Sequence, residues 1–117
     1  MDLILTHEQA DFDALGALVA AHLLFDSAIP VLPHRNNQNV RKFVNLYKNE
    51  LHLVDLEDLP AQPIESIVLV DTQSLVTLKN FRKDASVHIV DHHSERPDLP
   101  VAWKRKIEKV GATTTIL

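Results

Sequence analysis

Two apolar runs limit what this chain can fold into. Residues 67–70 (IVLV) and 87–90 (VHIV) read as buried strands, and each is followed directly by an aspartate. Strands with no polar alternation have both faces covered, which is the condition of a parallel sheet between flanking layers. The rest of the chain alternates in kind around them. Residues 3–6 form a first strand. Residues 13–26 place Leu15, Leu18, Val19, His22, Leu23 and Phe25 at helical spacing, with Asp11 or Asp13 near the helix N-terminus. Residues 29–34 form a strand whose two prolines suit an edge or a strand end.

The spacing of Val40, Phe43, Val44 and Tyr47 predicts a helix over 39–50, capped by Asn39 or Asn37. Residues 51–63 read as a short strand or turn and then a proline-marked loop. Strands follow at 66–72, 85–93 and 101–108, with a short helix expected over 74–81. Residues 111–117 (GATTTIL) look like a helix start with little room to continue. This order predicts one α/β domain over 1–117, with a doubly wound, mostly parallel sheet and helices on both faces. The abrupt end suggests a piece of a longer protein.

Composition narrows the function classes. Hydrophobic residues make up 45% and aromatics only 5%, so the core is aliphatic. A net charge of −4 argues against a domain that simply coats itself in nucleic acid. The absence of cysteine excludes disulfides and thiolate metal sites and is compatible with a cytoplasmic home. No apolar run approaches the roughly 18 residues of a membrane span, and the N-terminus lacks the basic region of a signal peptide. The only glycines, Gly16 and Gly111, cannot supply a P-loop or a dinucleotide-binding fingerprint.

Three polar motifs fall at predicted strand ends. HEQADFD places His7, Asp11 and Asp13 after the first strand, VDTQ places Asp71 after the third long one, and VDHHS places Asp91, His92 and His93 after the fourth. Ligands of open parallel sheets bind outside the carboxyl ends of the strands, where strand order reverses. Asp and His without Cys suit Mn²⁺ or Mg²⁺, and also Fe²⁺ or Zn²⁺. Four acids and three histidines exceed the needs of one ion. Two divalent ions about 3.5–4 Å apart, bridged by a carboxylate, would use them, and such pairs hydrolyse phosphate esters and anhydrides. Taken singly each motif has a plainer reading: Asp11 or Asp13 as a helix cap, Asp71 as a cap at Ser74, His92 and His93 as loop residues. His22 and His88 read as core residues or as supports behind the ligands, and His52 as surface. The basic 103–109 segment reads as a solvated strand edge.

The pattern His-x-x-x-Asp-x-Asp, an Asp after a buried strand, Asp-His-His and then G-A-T-T-T resembles the DHH phosphoesterase superfamily over residues 3–117. That superfamily includes RecJ-type exonucleases, oligoribonuclease/phosphoadenosine phosphatases and family II inorganic pyrophosphatases. The resemblance implies two Mn²⁺ or Mg²⁺ ions. His7 and Asp11 would hold one, Asp13 and His92 the other, and Asp71 would bridge them. His93 would face the substrate phosphate, with Asp91 orienting a histidine. Asp71, His92 and His93 are then the catalytic set. The segment VLPHRNNQNVRKFVNLY is similar to DHH domains at the N-terminus of bacterial CBS-domain/poly(A)-polymerase-like fusion proteins, and Arg35 in it is a candidate substrate contact. The resemblance also implies a further downstream Asp and a second domain, neither within these residues.

Three function classes follow. One is a metal-dependent phosphoesterase acting on nucleotides or short or single-stranded nucleic acid. Another is a metal- or nucleotide-binding module inside a larger nucleotidyltransferase-like protein. A receiver-like domain with incidental acids ranks last, because it leaves Asp91, His92 and His93 unexplained.

Overall fold

The apolar runs at 67–70 and 87–90 do lie side by side in the middle of a parallel sheet. A computed structural model describes residues 1–33, 35–75, 78–108, 110, 113 and 116–117, and of Lys48 and Lys83 only the backbone. Six strands are described: β1 (Asp2–Leu5), β2 (Ile29–Leu32), β3 (Val54–Asp55), β4 (Ile64–Val70), β5 (Phe81–Asp91) and β6 (Lys104–Ile107). Two α-helices, α1 (Phe12–Leu24) and α2 (Gln38–Leu51), link the first three. The sheet order is β3-β2-β1-β4-β5-β6 and every described pairing is parallel. The winding runs outward from β1 to one edge and from β4 to the other. The point where it reverses lies between β1 and β4.

Alternation along the strands builds two cores. Ile4, Leu32, Val68, Val70 and Val90 face α1 and α2, where Leu15, Leu18, Val40 and Val44 meet them. Leu3, Leu5, Val31, Ile67, Leu69, Val87 and Ile89 face the other way. That second face is covered by the 3₁₀ turn Leu56–Asp58 and by the connections after β4 and β5, through Leu56, Leu59, Leu75, Leu78, Leu99 and Trp103. Both faces are therefore capped, with the two α-helices together on one of them.

The helix signals translate with one change of face. Asp11 caps α1, its Oδ1 accepting from the Ala14 N–H at 2.9 Å, and Asn37 caps α2 through the Asn39 N–H at 2.9 Å. The buried stripe of α1 is Ala14, Leu15, Ala17, Leu18 and Ala21. Leu23 of the expected stripe faces solvent, because the alanines allow the helix to sit close to the sheet on their own side. On α2, Val40 and Val44 are buried, whereas Phe43 and Tyr47 are exposed and pack on each other, with Phe12 edge-on to Phe43.

One expectation is corrected. The described part of 74–81 is not helical, and Phe81 already belongs to β5; Val76 and Thr77 lie outside the described residues. Phe81 pairs with Ile64, so the connection must return along the whole of β4, about 20 Å. An eight-residue helix reaches only about 12 Å. Leu75 and Leu78, among the described residues of this connection, are partly buried against the second face of the sheet. β2 is an inner strand, and its prolines fall at strand ends, one of the two placements expected: Pro30 is its second residue and Pro33 directly follows it. Its partner β3 begins opposite Val31, so Pro30 sits before that pairing, where a missing N–H is tolerated. The helix start expected at 111–117 lies largely outside the described residues.

Leu18 is fully buried between α1 and the sheet, and Leu23 is 79% exposed. Leu18→Ala is expected to destabilise the protein by ~2–5 kcal/mol and Leu23→Ala by under ~0.5 kcal/mol, as read from urea midpoints.

Candidate metal centre at the carboxyl edge of the sheet

The site is assembled at the point where strand order reverses. β1 ends at Leu5, and the loop after it carries His7 out over the edge before Asp11 starts α1. Gln9, with φ 59°, turns this loop so that its backbone bonds Arg35 and Asn36–Asn37 of the neighbouring connection. Asp13 stands in the first turn of α1. Asp71 follows β4 directly, in the left-handed region at φ 58°, with its N–H donating to the Val90 carbonyl at 3.0 Å. Asp is one of the few residues with a side chain that adopts this conformation readily. Asp91 is the last residue of β5, and His92 and His93 follow it.

Asp71 is the hub. It is only 3% exposed. Its Oδ2 lies 3.3 Å from His7 Nε2, and its Oδ1 lies 2.9 Å from His92 Nε2 while accepting from Thr113 Oγ1 at 2.9 Å. His92 Nε2 is also 3.3 Å from Asp13 Oδ2. Ligand-type atoms of His7, Asp11 and Asp71 fall within 4.8 Å of one another, as do those of Asp71, Asp91, His92 and His93.

The two histidines are held alike. His7 Nδ1 meets the Glu8 carbonyl at 2.7 Å and His92 Nδ1 meets the Val110 carbonyl at 3.2 Å. A carbonyl only accepts, so each Nδ1 carries a proton. Each ring therefore turns Nε2 toward the shared carboxylate. That is the tautomer a metal-binding histidine needs, with its other nitrogen fixed by an outer partner. A lone pair aimed at carboxylate oxygens is repulsive unless a proton or a cation lies between them. The residues present thus fit a divalent metal.

The electrostatics agree. The hydrogen bond to Asp71 raises the His7 pKa to about 9 against the lowering effect of burial, with the Glu8 carbonyl and the charges of Asp71 and Asp11 adding to the rise. Burial would raise Asp71, but the hydrogen bonds from His7 and Thr113 and the charges of His7 and His92 outweigh it and hold its carboxyl below the usual range. Burial and the nearby Asp71 charge push Asp13 up, against the opposing pull of His92. His7 and Asp13 therefore hold their protons more tightly than separate side chains would, and Asp71 holds its proton less tightly, because it is the carboxylate that the others face.

Beside this cluster lies a cleft of about 390 Å³ lined by His7, Asp71, Thr72, Gln73, Asp91, His93, Ser94 and Arg96. A somewhat larger cavity, about 430 Å³, lies near the opposite sheet edge between Met1, Leu59, Ile64 and Asn80, away from the ligand cluster. Asp91 is 1% exposed. Its Oδ1 accepts from His93 Nδ1 at 2.7 Å and its Oδ2 from Gln73 Nε2 at 2.7 Å. His93 is more exposed, and its ring lies 4.2 Å from that of His92 between centroids.

His7, Asp11, Asp13, Asp71 and His92 therefore lie along one rim, and Asp91 hydrogen-bonds His93. Arg35 reaches the same rim through its backbone, which bonds the Glu8 carboxylate and the Gln9 N–H. Among the described residues its guanidinium bonds none of the ligand-type groups. Sequence reasoning gave no role to Gln73, Thr113 or Arg96. Gln73 stands in VDTQ and Thr113 in GATTT, but neither residue type signals a contact with a carboxylate more than a dozen residues away.

The model of the DHH family, N-terminal domain, matches residues 3–117. The chain belongs to the DHH family. It is 35% identical over 123 residues to the A-adding tRNA nucleotidyltransferase of Geobacter sulfurreducens, covering 100% of this chain and 14% of that protein. It is 37% identical to the uncharacterized protein MJ0988 of Methanocaldococcus jannaschii, covering 97% of this chain and 35% of that protein. The A-adding tRNA nucleotidyltransferase of Aquifex aeolicus is 28% identical, with 98% of this chain and 13% of that protein covered. The chain thus spans about a third or less of each of these relatives.

The His7–Asp71 pair makes stability depend on pH. A histidine whose pKa rises from 6.5 to about 9 on folding contributes fully below pH 6.5 and loses that contribution as pH rises through 9. In buffer with chelator, the urea midpoint of the parent is expected to drop between pH 6.5 and 9.5 more than that of His7→Gln. Parallel curves would show that the pair contributes nothing.

Proposed function

We propose that this domain is a metal-dependent phosphoesterase centre, hydrolysing phosphodiester or phosphoanhydride bonds of nucleotides or of short or single-stranded nucleic acid. One observation carries the reading: a buried carboxylate, Asp71, is shared between two histidines whose outer nitrogens are already fixed by main-chain carbonyls. His7 and Asp11 would hold one ion, Asp13 and His92 a second, and Asp71 would bridge them. Mn²⁺ or Mg²⁺ suits oxygen and imidazole ligands, and when bound such ions supply a hydroxide at neutral pH and offset charge on phosphoryl oxygens.

The chain's own residues have separate tasks. Asp71 is the carboxylate that both histidines share, while main-chain carbonyls orient their rings. Asp91 fixes His93, whose free nitrogen is directed to the substrate phosphate. Arg35 contributes positive charge at the rim. No described helix is long and apolar enough to cross a membrane. The absence of cysteine supports a cytoplasmic setting.

A second reading has its own support. The A-adding relatives are far longer than this chain, and the matched part is a small share of each. In such a setting the domain would bind metal or nucleotide without cleaving it.

Hydrolysis by the parent separates these readings, and Asp71→Asn tests the role of Asp71, since Asn also tolerates the left-handed backbone at this position. In the full-length protein, calorimetric titration is expected to show Mn²⁺ binding weakened by about 100-fold or more. Hydrolysis of a model phosphodiester should vanish with it. Mn²⁺ binding by the parent without hydrolysis of any diester or anhydride would favour the binding module, and unchanged activity in the variant would remove Asp71 from its role.

A further inference from the structure

The cleft beside the ligand cluster has a wall that the metal assignments leave without a task. It is built by the connections after β4 and β5. Gln73 and Arg96 stand there, two residues after Asp71 and three after His93. We propose that Arg96 is a phosphate-contact residue of this cleft, and that Gln73 is the positioning residue that holds Arg96 and His93 to face it; the proposal rests on the phosphoester reading above.

Gln73 is buried, and both ends of its amide are used. Nε2 donates to Asp91 Oδ2 at 2.7 Å and to the Ser94 carbonyl at 3.0 Å, with the His93 carbonyl at 3.5 Å. Oε1 accepts the Arg96 N–H at 2.8 Å. One side chain therefore spans the loop from His93 to Arg96 and at the same time holds the carboxylate that orients His93. A buried amide without these partners would incur a desolvation cost, so the loop is held to this shape.

The Arg96 guanidinium is set in turn. Nε and Nη2 donate to the two carboxylate oxygens of Asp98 at 3.2 and 2.9 Å, and Nη1 donates to Ser74 Oγ at 2.5 Å. Arginine has five N–H donors. Three are used within the described residues, which leaves two. The ion pair with Asp98 is half-exposed on both sides and adds little stability by itself. Its geometric effect is larger: it fixes the plane of the fork, which is what recognition of phosphate oxygens requires. Arg96 lines the cleft together with His7, Asp71 and His93. A phosphoryl group there would meet the ligand cluster on one side and the arginine on the other.

The test uses the full-length protein and two titrations, Mn²⁺ first and then inorganic phosphate into the Mn²⁺-loaded protein. Arg96→Gln is exposed and should fold normally. It is expected to bind Mn²⁺ like the parent and phosphate about 10-fold or more weakly. Arg96→Lys, which keeps the charge without the fork, should fall between them. Gln73→Met should keep Mn²⁺ affinity and weaken phosphate similarly. Equal phosphate affinity in Arg96→Gln and the parent, with Mn²⁺ bound in both, would overturn the inference and leave the phosphoester reading standing. A parent that binds no Mn²⁺ would overturn that reading and the inference with it.

Discussion

A single buried carboxylate sets the terms for the rest of this structure. Asp71 ends the central strand β4 in a left-handed conformation, one strand away from β1 on one side and β5 on the other. Each of its oxygens meets a histidine from a different connection. For that to happen, β1, β4 and β5 must be parallel and adjacent, so that their carboxyl ends lie on one rim. The topology is therefore a precondition of the chemistry. A sheet with any of these strands reversed would send one ligand to the far edge, about 20 Å away.

Much of this was legible in the chain. The unbroken apolar character of 67–70 and 87–90 reflects burial on both faces, and it correctly implied parallel strands. The motifs after them were legible because polar residues that end a buried strand have a known destination, the carboxyl rim. What could not be read has a physical cause in each case. Leu75 and Leu78 are three apart, as on a helix, but they are partly buried on the second face of the sheet in a connection that must retrace β4. Phe43 and Tyr47 follow the helical period yet stay exposed, because period fixes only which residues share a face, not what covers it. Gln73 and Thr113 act through hydrogen bonds to residues distant in sequence, and pattern within one segment carries no trace of such partners.

The centre is also a charge-balance problem. Asp11, Asp13, Asp71 and Asp91 crowd one rim, and the two histidines facing Asp71 are oriented by main-chain carbonyls rather than by the carboxylates. This division matters. A histidine oriented only by its carboxylate partner would turn away once the proton between them was lost. Here the orientation survives that loss, so the same geometry serves a proton or a divalent cation.

The bond from His7 to Asp71 closes a loop of 64 residues, and the bond from Thr113 to Asp71 closes one of 42. In a chain without cysteine these are crosslinks in all but covalency. The entropy of closing a loop grows only slowly with its length, so one junction can tie distant segments at modest cost. Asp71 is thus a knot in the backbone's path as well as a buried charge. His7 in the loop after β1, His92 after the end of β5, and Thr113 are drawn to one point.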